Sequence, residues 1–300
     1  MTEFKTVGVL AHPFRPATTP LARQIAEGLE ARGLTCWVRT GDAAEALHEL
    51  TPGTDLVVAI GGDGAMLRAA RLCAPFDVPV LGVNEGRLGF LTEIYRPQSW
   101  LKALEAVLEG RYWIEERMMI GYEIRRGDAV IGHGDALNDV VIGRGQVPTT
   151  AWLETYIDRN WATTYVADGL IIATATGSTA YALAAGGPIL PPELRNILVV
   201  PVAPHLSMDR PIVVSEGAVI DIFIAAENRT EVVLSADGIL AETLQVGDRV
   251  TVQAGEHVSR FIRLRSRAYF YRSLLDRLEP RRMTRQRPRH ANFEDNNDER

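Results

Sequence analysis

The sequence has few cysteines and no long apolar run, and these absences exclude several classes of protein. Cys36 and Cys73 are the only cysteines among 300 residues, too few for a disulfide framework or a cysteine-based zinc site. No apolar run approaches the roughly 18 residues of a membrane span. The first residues lack a basic segment followed by an apolar one, so we expect no secretion signal. The sequence therefore predicts a cytoplasmic protein that has no membrane segment.

Lysine is almost absent, which excludes a common phosphate-binding loop. The only lysines are Lys5 and Lys102, and neither follows a glycine-rich loop. A Walker A loop of the form GxxxxGK[ST] is therefore excluded. The net charge of −6 argues against a surface that binds DNA, RNA or anionic lipid. If this protein handles nucleotide phosphates, it does so through other groups.

Strand-like and helix-like segments alternate over the first hundred residues. Apolar runs such as TDLVVAI and VPVLGVN are separated by amphipathic helical segments, a pattern typical of a doubly wound, mostly parallel sheet. One helix is predicted to have Thr19 as its cap, Pro20 at its first position and Gly33 as its stop. We expect an α/β domain over residues 1–111.

The pattern changes at about residue 112. Short β-rich runs divided by turn residues predict a β-rich, mainly antiparallel domain over residues 112–270, with a hairpin that turns at DRNW. A C-terminal helix is predicted over 271–279, and we expect it to pack back on the first domain. Residues 280–300 are first basic and then acidic, and they predict a disordered tail.

The stretch AIGGDGAMLRAAR places Asp63 among three glycines, between an apolar strand and a helix. Glycines let a backbone approach a phosphate, and a helix N-terminus offers free N–H donors. Asp63 would repel that phosphate unless it serves a metal or accepts the proton of a hydroxyl that is being phosphorylated. A role as a cap in a tight turn also stays open. A Rossmann fingerprint with Glu85 on a ribose is disfavoured, because Leu67 stands at the third glycine position.

Four further segments combine glycines, hydroxyls and turn residues. They are NEGRLGF (84–90), LNDVVI (137–142), ADGLIIATATGSTAYALAAGGPIL (167–190) and PHLSMDRPIVV (204–214). Each alone is ordinary turn chemistry. GGDG and NEGRLGF, however, follow strands at the sheet edge where parallel α/β folds bind ligands. The histidines lack an HExxH or similar spacing, so we expect no structural zinc.

Taken in order, these five segments resemble the signature segments of the NAD kinase family, and the resemblance covers about residues 4–270. It implies phosphorylation of the adenosine 2′-hydroxyl of NAD to give NADP. The implied donor is ATP or polyphosphate, and the implied cofactor is a divalent metal cation such as Mg²⁺. The resemblance also implies that the dinucleotide lies between two domains and that the chain forms a homo-oligomer, a dimer or a tetramer.

The same resemblance gives roles to residues near GGDG. It implies that Asp63 is the proton acceptor and that Asp63 and Gly64 contact the dinucleotide. Arg68, one turn into the helix, would meet a phosphate, and Phe90 would lie near the adenine. It assigns no metal ligand.

In the second half, the resemblance implies that Asn138 and Asp139 bind the ribose and adenine of NAD and that Asp168 holds the nicotinamide side. The residues implied to line the dinucleotide are Thr176, Gly177, Ser178, Thr179, Ala180, Tyr181, Ala182, Leu183 and Ala184.

Three positions depart from the family pattern. Ala175 stands where proline is usual, Val166 where a basic residue is frequent, and Ile239 where glutamine is common. These departures bear on binding strength more than on reaction type. Two other functions stay open: a lipid or sugar kinase that shares the GGDG loop, and a non-catalytic sensor of NAD or NADP.

Overall fold

The structure is a computed structural model that describes residues 4–12, 14–40, 53–84, 89–94, 99–145, 149–205 and 208–278. Several predicted features lie outside these residues: positions 85–88 of NEGRLGF, positions 206–207 of PHLSMDRPIVV, and the tail predicted over 280–300.

Parallel strands with helices on both faces form the N-terminal part. The strands are β1 (Thr6–Leu10), β2 (Thr35–Arg39), β3 (Leu56–Ile60) and β4 (Val80–Val83), in the order β2-β1-β3-β4. The helices are α1 (Thr18–Glu30), α2 (Asp63–Cys73) and α3 (Trp100–Leu108). A 3₁₀ turn, Ala74–Phe76, follows α2. The predicted doubly wound α/β fold is confirmed.

The sequence of β3 explains why both faces of this sheet are covered. Leu56, Val58 and Ile60 pack with residues of α1 and α3, whereas Val57 and Ala59 pack with residues of α2. All five residues of β3 are buried, as expected for a strand with helices on each side. The end of β3 therefore delivers GGDG directly to the start of α2.

The predicted start of α1 was wrong. The helix begins at Thr18 with Ala17 as its N-cap, and Thr19 lies inside the first turn. The Thr18 hydroxyl donates to the Arg15 carbonyl (2.8 Å) and accepts the His12 N–H (2.9 Å). The preceding loop thus folds onto the first turn, an arrangement that the local cap pattern did not signal. Gly33 has a φ of +85° in the turn after the helix, which suits glycine.

The C-terminal part is β-rich, as predicted. Its strands are β5 (Trp113–Arg126), β6 (Ala129–Ala136), β7 (Asp139–Arg144), β8 (Ala151–Ile157), β9 (Asn160–Ala167), β10 (Gly169–Thr174), β11 (Asn196–Val202), β12 (Ile212–Ser215), β13 (Ile220–Ile224), β14 (Val232–Ala236), β15 (Ile239–Leu244) and β16 (Arg249–Arg263). The hairpin predicted at DRNW is β8–β9.

Two sheets pack face to face in this half. One is antiparallel, with the order β12-β11-β10-β7-β14-β15. The other continues the N-terminal sheet beyond β4, through β16, β13, β8 and β9, while β5 pairs along β16 and β6 pairs with β5. Buried residues from both sheets, among them Leu153, Ile172 and Ile222, form the core between them. On the outer face of β10, a short helix α4 (Tyr181–Ala184) follows a 3₁₀ turn, Gly177–Thr179.

Residues from Ser266 onward form a separate unit, which contains helix α5 (Tyr269–Leu278). Its packing against the first domain and the domain limits at 111 and 270 stay predictions. Among the helices that the structure describes, none has the length and apolar character that a bilayer crossing requires.

Candidate active site

Asp63 is held at the start of α2 by the loop that follows β4. Its Oδ2 accepts the Phe90 N–H (2.9 Å) and its Oδ1 accepts the Leu91 N–H (3.1 Å). A Cβ at Gly89 would lie 1.8 Å from Asp63 Oδ1, so glycine is needed where the loop passes the carboxylate. Gly64 is exposed, with nothing near its Cα hydrogens. The sequence placed Asp63 in a glycine turn, and the structure adds that a second loop fixes its orientation.

A cluster of cationic side chains flanks α2. The guanidinium carbon of Arg68 lies 5.9 Å from the ring centroid of Phe14. Its Nη2 is buried and has no hydrogen-bond partner among the described residues. Burial, followed by the charges of Arg68 and Arg15, lowers the pKa of His12. A buried guanidinium N–H without an acceptor is costly, and an incoming anion would relieve that cost.

A cavity of about 420 Å³ joins α2 to the antiparallel sheet. Of the predicted site residues it contains Asn138, Asp139, Ala180 and Tyr181. Its full lining is Leu67, Asn138, Asp139, Val141, Ala180, Tyr181, Ser235, Asp237 and Gly238. Asp63 does not line the cavity itself; it lies four residues before Leu67, on the same face of α2.

A larger, open cleft of about 890 Å³ lies among β5, β6, β13 and β16. It contains none of the predicted site residues. We place the site at the smaller cavity because that cavity brings together residues from α2, LNDVVI and TATGSTAY, which are far apart in the chain.

Close backbone contacts explain why the TATG turn lies against Asn138. The Asn138 carbonyl accepts the Thr174 N–H (2.9 Å), and the Thr174 hydroxyl donates to the Leu137 carbonyl (2.6 Å). A Cβ at Gly177 would lie 2.1 Å from the Asn138 carbonyl oxygen. The Asn138 side chain itself makes no hydrogen bond to the described residues and is free to bind a ligand.

Asp237 organises the other side of the cavity, and the sequence analysis missed it. Its carboxylate accepts the N–H groups of Leu137 (2.9 Å) and Asn138 (2.7 Å), and also that of Asp139 (3.2 Å). Its backbone has a φ of +50°, and Gly238 follows with +77°. The Asp-Gly pair in SADG is the turn signal that would have found it. Ser235 and Gly238 were missed with it.

Two carboxyl groups lie close together in this wall. Burial, together with the charge of Asp237, raises the pKa of Asp139 to about 7. Burial also raises the pKa of Asp237, although amide hydrogen bonds and the charge of Arg71 oppose that rise. The pair therefore holds protons more tightly than free carboxyl groups do.

The hydroxyls of TATGST, predicted to line the dinucleotide, bond within the protein. Thr176 accepts from Arg117 Nη1 (3.0 Å), Ser178 donates to the Ala175 carbonyl (2.6 Å), and Thr179 donates to the Thr176 carbonyl (3.3 Å). Beyond them, Ala182 is wholly buried, Leu183 is partly buried and Ala184 is exposed. Tyr181, which is 47% exposed at the cavity, presents a ring face suited to stacking.

Other predicted contacts lie apart from the cavity. Gly64, Arg68, Phe90, Asp168, Thr176–Thr179 and Ala182–Ala184 do not line it. Asp168 pairs with Arg144, with Nε 3.2 Å from Oδ1. In the β7–β10 pair, Gly169 is opposite Gly143 and Ala173 is opposite Asp139, so Asp168 and Asp139 lie at opposite ends, roughly 16 Å apart by strand rise.

The three positions that depart from the family pattern have ordinary surroundings. Ala175 is buried, and its carbonyl accepts the Ser178 hydroxyl. The Val166 carbonyl accepts the His205 N–H (2.7 Å). Ile239 is exposed at the start of β15. None of the three lines the cavity.

Two domain models of one family match this chain in sequence order. The ATP-NAD kinase N-terminal domain matches residues 7–112, and the ATP-NAD kinase C-terminal domain matches residues 137–264. The first match contains Asp63 and the Phe90–Leu91 loop, and the second contains Asn138, Asp139 and the TATG turn.

Similar proteins carry the same family name. An NAD kinase of Geotalea daltonii and one of Syntrophotalea carbinolica are each 40% identical to this chain, over 89% of it and 95% of their own length. A yeast NADH kinase complexed with NADH superposes with a TM-score of 0.80 at 26% identity, covering 93% of this chain and 88% of that one.

An NAD kinase from Archaeoglobus fulgidus in complex with ATP has the same fold, with a TM-score of 0.70 at 23% identity over 90% of this chain and 97% of its own. Since both domain models match in order and two relatives reach 40% identity over nearly their whole length, this chain belongs to the ATP-NAD kinase family of phosphotransferases.

Proposed function

We propose that this chain is an NAD kinase that transfers the γ-phosphoryl group of ATP to the adenosine 2′-hydroxyl of NAD and forms NADP. Family membership supports the reaction type. The observation that carries the proposal is the fixed carboxylate of Asp63, which starts the helix whose Leu67 lines the cavity with Asn138 and Asp139.

Asp63 acts as the proton acceptor. The amide hydrogen bonds from Phe90 and Leu91 orient the carboxylate. A carboxylate oxygen can accept more than one hydrogen bond, and the 2′-hydroxyl donates to this carboxylate. As the new P–O bond forms, the bond between the γ-phosphorus and ADP breaks and the hydroxyl proton passes to Asp63. A base in this role contributes about 10²- to 10⁴-fold in rate.

The phosphate charges are balanced by groups around α2. The first-turn N–H groups of α2 offer donors and the positive end of the helix dipole. Arg68 has an unpaired buried N–H among the described residues, and Arg15 lies near enough to affect His12. This local positive charge is needed because the net charge of the chain is −6.

Asn138 and Asp139 bind the adenosine, with its base on Tyr181. Their places on the cavity wall support this assignment, as does the Asn138 side chain, which makes no hydrogen bond to the residues that the structure describes. Asp168 holds the nicotinamide side, and the ligand would follow the β7–β10 pair to reach it. The segment from Thr176 to Ala184 contributes Ala180 and Tyr181 as direct contacts.

The described residues do not fit a resident metal. They contain no group of three or more His, Cys, Asp or Glu side chains placed to hold one. Mg²⁺ enters as part of the ATP substrate, because it binds through phosphates with few protein ligands. Polyphosphate is the alternative donor.

The test is to incubate the purified chain with NAD and Mg²⁺ plus either ATP or polyphosphate, and to measure NADP with an NADP-specific dehydrogenase. We expect NADP with at least one donor. Saturable NAD binding without NADP would contradict the proposal and indicate a sensor. Phosphorylation of diacylglycerol or a sugar in place of NAD would indicate the other GGDG-type kinases.

We also propose that the protein is cytoplasmic and forms a homo-oligomer. The family resemblance supports a dimer or tetramer. Light scattering on the full chain measures the mass, and a value near 33 kDa, that of one chain, would contradict the oligomer.

A further inference from the structure

A wholly buried arginine contacts the loop after β4, the loop whose amides bond Asp63. Arg263 is the last residue of β16 and is 0% exposed. Its Nη1 donates to the Leu91 carbonyl (2.8 Å) and its Nη2 to the Phe90 carbonyl (3.4 Å). Its Nε donates to Glu115 Oε2 (2.8 Å). One guanidinium therefore bonds two consecutive carbonyls of the loop that bonds Asp63.

The peptide unit between Phe90 and Leu91 is bonded at both ends. Its carbonyl, that of Phe90, accepts from Arg263, and its N–H, that of Leu91, donates to Asp63 Oδ1. Because a peptide unit is planar, a tilt of its carbonyl end moves its N–H end. The Arg263 guanidinium and the Asp63 carboxylate are thus linked through a single rigid plane.

Glu115 links Arg263 to Arg117, which contacts the TATG turn. Its Oε2 also accepts from Arg117 Nη2 (2.9 Å), and Arg117 Nη1 donates to the Thr176 hydroxyl (3.0 Å). Burial opposes ionisation of Glu115, but the charges and hydrogen bonds of Arg263 and Arg117 hold its pKa below the ordinary value. Glu115 is therefore ionised between the two guanidinium groups; Arg263 is wholly buried, and Arg117 and Glu115 are nearly so.

Glu93 ties the same loop to the end of β16. Its Oε1 accepts the N–H groups of Leu264 (2.9 Å) and Arg265 (2.8 Å), and its Oε2 lies 3.4 Å from Arg263 Nη1. The loop and the strand end therefore move together, which keeps Arg263 in register with the Phe90–Leu91 peptide.

We propose that Arg263 and Arg117, joined through Glu115, are positioning residues for phosphoryl transfer. Arg263 positions the Asp63 carboxylate through the Phe90–Leu91 peptide, and Arg117 positions the TATG turn through Thr176. Neither contacts substrate. The kinetic part of this inference rests on the proposed function. In that part, Arg263 affects kcat and Arg117 affects KM for NAD.

The test compares Arg263→Lys, Arg117→Lys and a control, Arg126→Lys. Arg126, the last residue of β5, lies away from the site and donates two hydrogen bonds to the Asp248 carboxylate (2.9 and 2.8 Å). A lysine keeps the charge but lacks the fork that reaches two acceptors. We expect Arg263→Lys to lower kcat about tenfold with KM for NAD within about twofold, because a misplaced base costs rate.

Arg117→Lys is expected to raise KM for NAD about fivefold with kcat within about twofold, since it loosens a binding turn and leaves the base in place. Arg126→Lys should leave both constants within about twofold of the parent. All kcat values are taken per folded molecule, counted by thermal unfolding amplitude. An unchanged kcat for Arg263→Lys, or the same loss of kcat in both variants, would overturn the inference.

Amide hydrogen exchange tests the same inference without turnover. Arg263→Lys should speed exchange of the peptide covering residues 89–94, and Arg126→Lys should not. Unchanged exchange there would overturn the inference even if the enzyme is active. A parent chain that makes no NADP while Arg263→Lys speeds exchange would overturn the proposed function alone.

Discussion

Two buried carboxyl groups, Asp139 and Asp237, share one wall of the cavity, and their protonation affects the stability of the fold. The pKa of Asp139 is raised to about 7 by burial and by the charge of Asp237, while an aspartate in the unfolded chain titrates near 4. Between these values the folded state holds a proton that the unfolded state has released. The contribution of Asp139 to stability is therefore lost as the pH rises from about 4 to about 7.

Asp139→Asn removes this titration. We expect the free energy of unfolding of the variant, relative to the parent, to increase by about 4 kcal/mol between pH 4 and pH 8, because the parent must ionise a buried group over that window. Urea unfolding at a series of pH values measures it. Asp128→Asn, in the exposed β5–β6 turn, is the control and should show no such trend; an identical trend in the two variants contradicts the account.

Some residues of the site could be predicted from the sequence, and others could not. Asp63 stood out because a carboxylate among glycines is unusual. Asn138 and Asp139 were implied only by the family resemblance, because an Asn-Asp pair alone is ordinary turn chemistry. Arg263 and Glu115 did not, because charged residues within a strand pattern usually face solvent. Their pairing joins positions 148 residues apart, which no local spacing can reveal.

At the scale of elements, the site depends on how closely one loop passes the start of a helix. The loop after β4 donates two amides to Asp63 on α2, and Gly89 leaves room for the carboxylate. The orientation of the Asp63 carboxylate therefore depends on the loop after β4 as well as on α2.

Gly89→Ala tests this contact. The added Cβ would lie 1.8 Å from Asp63 Oδ1, so the carboxylate must move. We expect kcat to fall about 10²-fold, in line with the cost of displacing a catalytic group by about 1 Å. Gly217→Ala, where a Cβ meets nothing within 4 Å, is the control and should keep the parent kcat in the NADP assay. Parent-like turnover of Gly89→Ala at an intact melting temperature would show that the contact does not matter.

The elements themselves were predicted with uneven success. Apolar runs rich in Val, Ile and Leu located the buried strands, because strands covered on both faces are continuously apolar. The cap of α1 was wrong, because contacts from the preceding loop, not Thr19, set its start. The role of β16 was missed, because its partners β4 and β5 lie over a hundred residues earlier in the chain.

At the scale of the whole molecule, β16 belongs to several cores at once. Phe261 packs with residues of α2, Ile262 packs with residues of α1 and α3, and Val250 and Val252 pack between the two sheets of the β-rich half. The N-terminal sheet therefore completes its cores with residues from the end of the chain.

A fragment of residues 1–111 should then fail to fold by itself. It lacks Phe261 and Ile262, both 0% exposed in the whole chain, and a loss of two such side chains costs roughly 3–6 kcal/mol of burial against a typical total of about 5–15 kcal/mol. Circular dichroism through a thermal scan measures this. A cooperative unfolding transition in the fragment would contradict it and would favour the predicted domain limit at residue 111 as an independent folding boundary.

The central claim is that the Asp63 carboxylate takes the proton of the adenosine 2′-hydroxyl. The most direct measurement compares Asp63→Asn with the parent for NADP formation and, by calorimetry, for NAD binding. The account predicts a turnover about 10²- to 10⁴-fold lower, with the dissociation constant for NAD within about threefold. Turnover equal to that of the parent, with NAD bound as tightly, would contradict it.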